Sequence, residues 1–154
     1  EAEGGTSPEP APVAALLDTE ALAAARGAYE AEDEAREAAI KASRDVQKAS
    51  KNAIFSLHRR DTKRAAAQLD AATKGARALV ASLRESFPSL RSANFAHAMV
   101  EELAEARLFE AWLKHPGHIL PSSSPTFEGL DMEPGEYIGG LGDLVGEFGR
   151  VAVQ

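Results

Sequence analysis

The chain has 154 residues, 44% of them hydrophobic, with no cysteine and a formal net charge of −7 at neutral pH. That length fits one domain with a modest core, and the lack of thiols excludes disulfides, thiolate metal sites and cysteine nucleophiles, leaving oxygen and imidazole chemistry. The acid excess speaks against indiscriminate polyanion binding, and no run approaches the roughly 18 to 20 apolar residues of a membrane span or the pattern of a secretory signal, so a soluble chain without a membrane partner is expected.

Residues 1 to about 17 are mainly Glu, Gly, Ala and Pro. This composition is expected to stay disordered, because it buries too little apolar surface to offset the entropy of ordering. The start at Glu1 without methionine is expected of a processed or trimmed chain. From Thr19 to His58 there is no Pro and a single Gly, with Asp18 or Thr19 as N-cap, which predicts one long helix. Its acids, Glu30, Glu32, Asp33, Glu34 and Glu37, precede its bases as the macrodipole favours, and Glu37 to Lys41 is a favourable i,i+4 pair. A second helix is predicted over 62–86, capped by Asp61 and ended by Pro88, with Leu69, Ala72, Ala76, Leu79 and Leu83 at spacings of three and four. A third, from about Ser89 to Lys114, aligns Phe95, Met99, Ala106, Phe109 and Leu113 until Pro116 and Gly117 break it. Residues 115 to about 133 read as a Pro-, Ser- and Gly-rich loop. Pro134 then opens a last helix that reaches toward Gln154. With no strand pattern and no internal repeat, the expected fold class is all-α, an antiparallel bundle of about four long helices spanning 18–154.

At about 100° per residue, Lys41, Arg44, Lys48 and Lys51 fall in one narrow stripe, opposite Val46, Ala53 and Leu57. Arg59, Arg60, Lys63 and Arg64 carry positive charge around the following turn. Such a stripe is either an ordinary solvated face or a sequence-tolerant surface that tracks a phosphate backbone. On the third helix Glu102 falls inside the apolar arc, with Glu105 at its edge, whereas Glu101 and Glu110 lie farther round where solvation is expected. A carboxylate in that arc needs a cation, a metal or a proton as partner. On the last helix Asp143 and Glu147 lie one turn apart, flanking an apolar face of Tyr137, Leu141, Leu144 and Phe148. Two facing carboxylate pairs would form an oxygen-only site suited to Mg²⁺ or Mn²⁺; the alternative is ion pairing with Arg107 or Arg150.

The same helix holds Gly139, Gly140, Gly142, Gly146 and Gly149, each costing roughly 1 kcal/mol relative to alanine. Close approach of another backbone or of a ligand would offset that cost. A phosphate-binding loop is disfavoured, because no Lys-Ser or Lys-Thr follows the glycines and no strand precedes them. The histidines carry little signal: His58 and His97 read as surface residues or nucleic-acid contacts, and His115 and His118 fall in the loop. Ser122, Ser123 and Ser124 have no evident base.

Ser43 to His58 resembles the first long helix of the translin family, Val100 to Phe109 an acidic segment of that family, and Glu136 to Arg150, with its Gly-Gly-Leu-Gly-Asp-Leu-Val-Gly-Glu core, the family's glycine-rich signature helix. The resemblance spans roughly residues 25 to 154. It implies an all-helical fold, binding of single-stranded RNA or DNA, and assembly into a hollow shell as a homo-oligomer or with translin-type partner subunits. It is nearest to the translin-associated factor X branch, in which four carboxylates hold Mg²⁺ and cleave RNA; by position these are Glu102, Glu105, Asp143 and Glu147. Members of the family continue with further helices beyond the point matching Val151 to Gln154. The expectation is therefore a Mg²⁺-dependent endoribonuclease in the cytoplasm, or in an organelle after removal of a transit peptide. A non-catalytic single-strand-binding subunit is the first alternative and an all-α nucleoside triphosphate pyrophosphohydrolase the second, although Asp143 and Glu147 lack the latter's usual Glu-x-x-Asp spacing. A purely structural helical scaffold is the remaining class.

Overall fold

The computed structural model describes residues 18–153; the expected disorder of residues 1–17 lies outside them. The helices are α1 Thr19–His58, α2 Thr62–Ser86, α3 Pro88–Arg91, α4 Asn94–Lys114 and α5 Pro134–Ala152, with a 3₁₀ turn at Pro125–Phe127. There is no strand among the described residues, and none of their helices is long and apolar enough to cross a membrane. The all-α class is therefore observed.

The described residues divide into two units, one ending at Glu34 and the other beginning at Ala35. In the first, Asp18 caps α1 by accepting the N–H groups of Glu20 and Ala21 at 3.1 and 3.0 Å, and Arg26 pairs with Glu30 at 2.7 Å. Every described residue of this unit is exposed.

In the second unit the three-residue turn after α1 reverses the chain, with Arg60 in the left-handed region at φ 59°. Asp61 caps α2 through the N–H of Arg64 at 3.1 Å. The Ser56 hydroxyl donates to Gln68 at 2.8 Å, and a Cβ on Gly75 would lie 3.0 Å from Val46, so α1 and α2 form an antiparallel hairpin. The continuous third helix expected over 89–114 is broken at Ser92 and Ala93, where Ala93 is extended at φ −82° and ψ 150°. Leu90 and Ala96 both pack with Ala39 and Leu83; six residues apart, they would point about 120° away from each other on an unbroken helix. The break brings them into phase. It also sends buried Arg91 to Glu136, at 2.7 and 2.9 Å, and to the carbonyl of Asp131 at 2.7 Å.

One pairing departs from the antiparallel expectation. Gly139 lies against Glu101, Gly140 against Ala104, and Phe148 against Trp112 with ring centroids 4.5 Å apart, so α4 and α5 run parallel. The segment 115–133 makes this possible by crossing back over the bundle. It is tied down rather than free: Phe127 and Leu130 are buried in the core, Arg77 donates to the Glu128 carbonyl at 2.7 Å, and Tyr137 donates to that of Leu120 at 2.7 Å. Pro134 opens α5 as expected, and Glu136 accepts the N–H of Glu133 at 2.8 Å. The main core joins α1, α2, α4 and α5 around Leu57, Leu69, Met99, Phe109 and Leu144. Helix α4 lies at its centre, buried on nearly every side from Ala96 to Ala111.

Candidate functional site

The site grows from the contact between α4 and α5. An added Cβ on Gly140 would lie 2.9 Å from the Ala104 Cβ, 3.0 Å from the Glu105 nitrogen and 3.1 Å from the Glu101 carbonyl oxygen, distances that a side chain does not tolerate against backbone. Glycine here lets the two helices touch. One on Gly139 would meet the Glu101 carboxylate. Gly142, Gly146 and Gly149 instead face open space, so close helix approach accounts for two of the five glycines.

That approach places Asp143 and Glu147 opposite Glu102 and Glu105. All four line one open cleft of about 470 Å³, together with Lys51, Phe55 and Arg150. Glu105 and Glu147 are buried, Glu102 is partly buried, and Asp143 is exposed. The order of burial on α4 differs from the sequence expectation: Glu105, placed at the edge of the apolar arc, lies deeper than Glu102. The reason is that α4 is enclosed by neighbours on several sides, so its apolar surface is wider than a single stripe.

The Lys51 ammonium lies 3.4 Å from Glu102. Glu147 is held from two sides, its Oε2 by His58 Nε2 at 2.5 Å and its Oε1 by Arg150. Burial, and after it the nearby Glu102, Glu147 and Asp143, together push the Glu105 carboxyl up from its usual 4.5 to about 7, against the lowering pull of Arg150. Burial also raises Glu102, opposed by Lys51 and reinforced by Asp143 and Glu101. The cleft is thus a concentration of acidic groups that the flanking cations Lys51 and Arg150 only partly offset. Among the described residues, no three His, Asp or Glu side chains stand in an arrangement ready to hold a metal ion. The oxygen-rich donor set is nevertheless the type that hard divalent cations take.

Of the two expected ion-pair partners, Arg150 is in the cleft, whereas Arg107 turns away to Asp70 at 3.1 Å and Glu110 at 3.1 Å. Glu110, expected to be solvated, is correspondingly only 12% exposed in its side chain and also meets Lys114 at 2.8 Å. Glu101 is half-buried against Gly139. The basic residues divide. Lys41, Arg44, Lys48 and Lys51 lie exposed along α1, and Lys51 alone of these reaches the carboxylate cleft. Arg59 and Arg64 share a smaller cleft beside it. Arg60 lines a different, more apolar groove with Leu113 and Lys114, and Lys63 is exposed in the first turn of α2.

The histidines were undervalued by the sequence. His58 packs its ring against Phe109 with centroids 4.8 Å apart while it holds Glu147. His97 Nδ1 bonds Glu136 at 2.8 Å and so belongs to the Arg91 latch. His58 and Glu147 are 89 positions apart, and no local spacing could have paired them.

Comparison with known proteins bears on the whole arrangement. The crystal structure of apo-NeC3PO matches with a TM-score of 0.68 at 25% identity, over 82% of this chain and 63% of that one. That of AfC3PO matches with a TM-score of 0.72 at 24% identity, over 84% and 63%; at this identity it supports the fold alone. The chain therefore spans 63% of the length of each of these structures. No curated protein gives a significant match. The family model described as Translin family matches residues 34–154, which include every residue lining the cleft, and the chain belongs to the translin family.

Proposed function

We propose that the chain binds single-stranded RNA or DNA and, as a member of the translin-associated factor X-like branch, hydrolyses RNA in the α4–α5 cleft with Mg²⁺ or Mn²⁺. The observation that carries this reading is the convergence of Glu102, Glu105, Asp143 and Glu147 on one open cleft, where burial first and the neighbouring acids second raise the Glu105 carboxyl to about 7. An enclosed ion pair needs no such excess of acid, whereas a divalent cation site does.

The cation would be held by those four carboxylates; bound there, it supplies charge neutralisation to the phosphodiester and an activated water. The protein's own groups do the remaining work. Lys51 and Arg150, whose side chains are 61% and 68% exposed, stand at the rim where a phosphate enters. His58, fixed against Phe109, holds one oxygen of Glu147 and so restrains that side chain. The basic face of α1 attracts the strand through its phosphates. The same reading places the chain in a homo-oligomer or beside translin-type partner subunits.

A second reading, a binding subunit without catalysis, is favoured by the engagement of both Glu147 oxygens by His58 and Arg150. The family assignment displaces the pyrophosphohydrolase alternative. Cleavage of a labelled single-stranded RNA in Mg²⁺ and in EDTA, by wild type and by Glu102→Ala/Glu105→Ala, separates these two readings, and neither binding nor cleavage would leave only the structural scaffold. Mg²⁺-dependent cleavage lost in the variant is expected; binding without cleavage by the wild type would select the second reading.

A further inference from the structure

Phe55 stands on the same face of α1 as the basic residues. At about 100° per residue it falls in the middle of the basic stripe, one turn beyond Lys51 and one turn before Arg59. Its neighbours Ile54 and Ser56 are buried, but Phe55 itself is 70% exposed. It lies where three clefts meet. It lines the carboxylate cleft, a second cavity of about 760 Å³ that also holds Arg59 and Arg150, and a polar cleft of about 330 Å³ that holds Asn52, Arg59 and Arg64.

A lone exposed aromatic is unremarkable on a protein surface; the setting decides here. The centre of a protein–protein contact is depleted in charge, yet Phe55 shares its clefts with Lys51, Arg59, Arg64 and Arg150, of which Lys51 and Arg150 also pair with Glu102 and Glu147 of the carboxylate cleft. An occupant must bring both a flat apolar face and negative charge, a few ångströms apart. Nucleotides of a single strand do so, because their bases are free to stack while their phosphates meet the flanking cations. In a duplex the base faces are already occupied.

We infer that Phe55 is the base-stacking platform of a nucleotide subsite beside the carboxylate cleft, which takes the base next to the phosphate held at Lys51 and Arg150. The inference rests on the single-strand reading above and deepens it. It makes Phe55 a contact to the base, independent of charge and of any cation in the cleft.

The test is fluorescence anisotropy in EDTA, where binding is read without cleavage. An unstructured twelve-nucleotide RNA and an abasic strand of the same length are titrated with wild type, Phe55→Leu and Phe55→Trp over a range of salt. The wild type should bind the base-bearing RNA roughly 5- to 100-fold more tightly than the abasic strand. Phe55→Leu should lose that preference with an unchanged salt slope, and Phe55→Trp should keep it. Thermal melting of each variant checks that the fold is retained. Salt-sensitive binding of both strands with no difference between wild type and Phe55→Leu would overturn the stacking subsite and leave the single-strand reading standing. No binding of either strand by the wild type would remove both. A change in sedimentation on Phe55→Leu, with RNA affinity unaltered, would assign the ring to a protein interface and overturn the inference.

Discussion

Glu105 offers a quantitative test of the crowded cleft. Its carboxyl is buried at 7% exposure and shifted from 4.5 to about 7, which corresponds to roughly 3 kcal/mol against the ionised form in the folded chain. Because the folded pKa lies above the unfolded one, the folded state holds the extra proton between about pH 4.5 and 7. Stability from this group is therefore lost as pH rises through that window and stays lost above it. Glu105→Gln keeps the shape and removes the charge. In EDTA at pH 8 the variant should be more stable than wild type by about 1–3 kcal/mol, raising Tm by about 3 °C or more. The difference should vanish toward pH 4.5. Circular dichroism melts of both proteins from pH 4.5 to 8.5 measure it. A variant no more stable than wild type at pH 8, with the two curves parallel throughout, would refute the claim that Glu105 sits ionised at a cost.

Gly140→Ala should destabilise by about 1–3 kcal/mol, because the new methyl meets the α4 backbone, whereas Gly149→Ala, facing open space, should stabilise by about 0.5–1 kcal/mol; denaturant unfolding of the two variants checks the contrast. Arg91→Met leaves Glu136, 3% exposed, without its guanidinium and should cost about 3–5 kcal/mol, read as a lowered denaturation midpoint. Glu136→Gln should cost less, since the amide still accepts from Arg91, and a cost as large as that of Arg91→Met would show that the latch supplies charge alone and that the retained hydrogen bond contributes nothing.

The helices were legible in the sequence wherever a local breaker or cap marks an end. Asp61, Pro88, the Pro116–Gly117 pair and Pro134 all stand at or beside observed boundaries. The break at Ser92 and Ala93 carries no such residue. Its cause is tertiary, the simultaneous burial of Leu90 and Ala96 and the reach of Arg91 to α5. The same holds for the parallel course of α4 and α5, which depends on Phe127 and Leu130 anchoring a segment that reads locally as loop. At the cleft, same-face spacing was visible for Glu102 with Glu105 and for Asp143 with Glu147. Which of them is buried was not, because that depends on how α5 lies on α4 at Gly140. His58 lacked any signal of its own, being defined by a partner 89 positions away; Phe55 showed only its place in the basic stripe, and the three clefts that it lines exist only after folding.

A divalent cation held by Glu102, Glu105, Asp143 and Glu147 is the feature on which the proposed activity depends. Calorimetric titration of Mn²⁺ and Mg²⁺ into the metal-free protein, with Glu105→Gln and Asp143→Asn alongside, tests it most directly. Saturable binding by the wild type, weakened at least tenfold by either substitution, is expected. Absence of saturable binding, or affinities that the two substitutions leave unchanged, would contradict it.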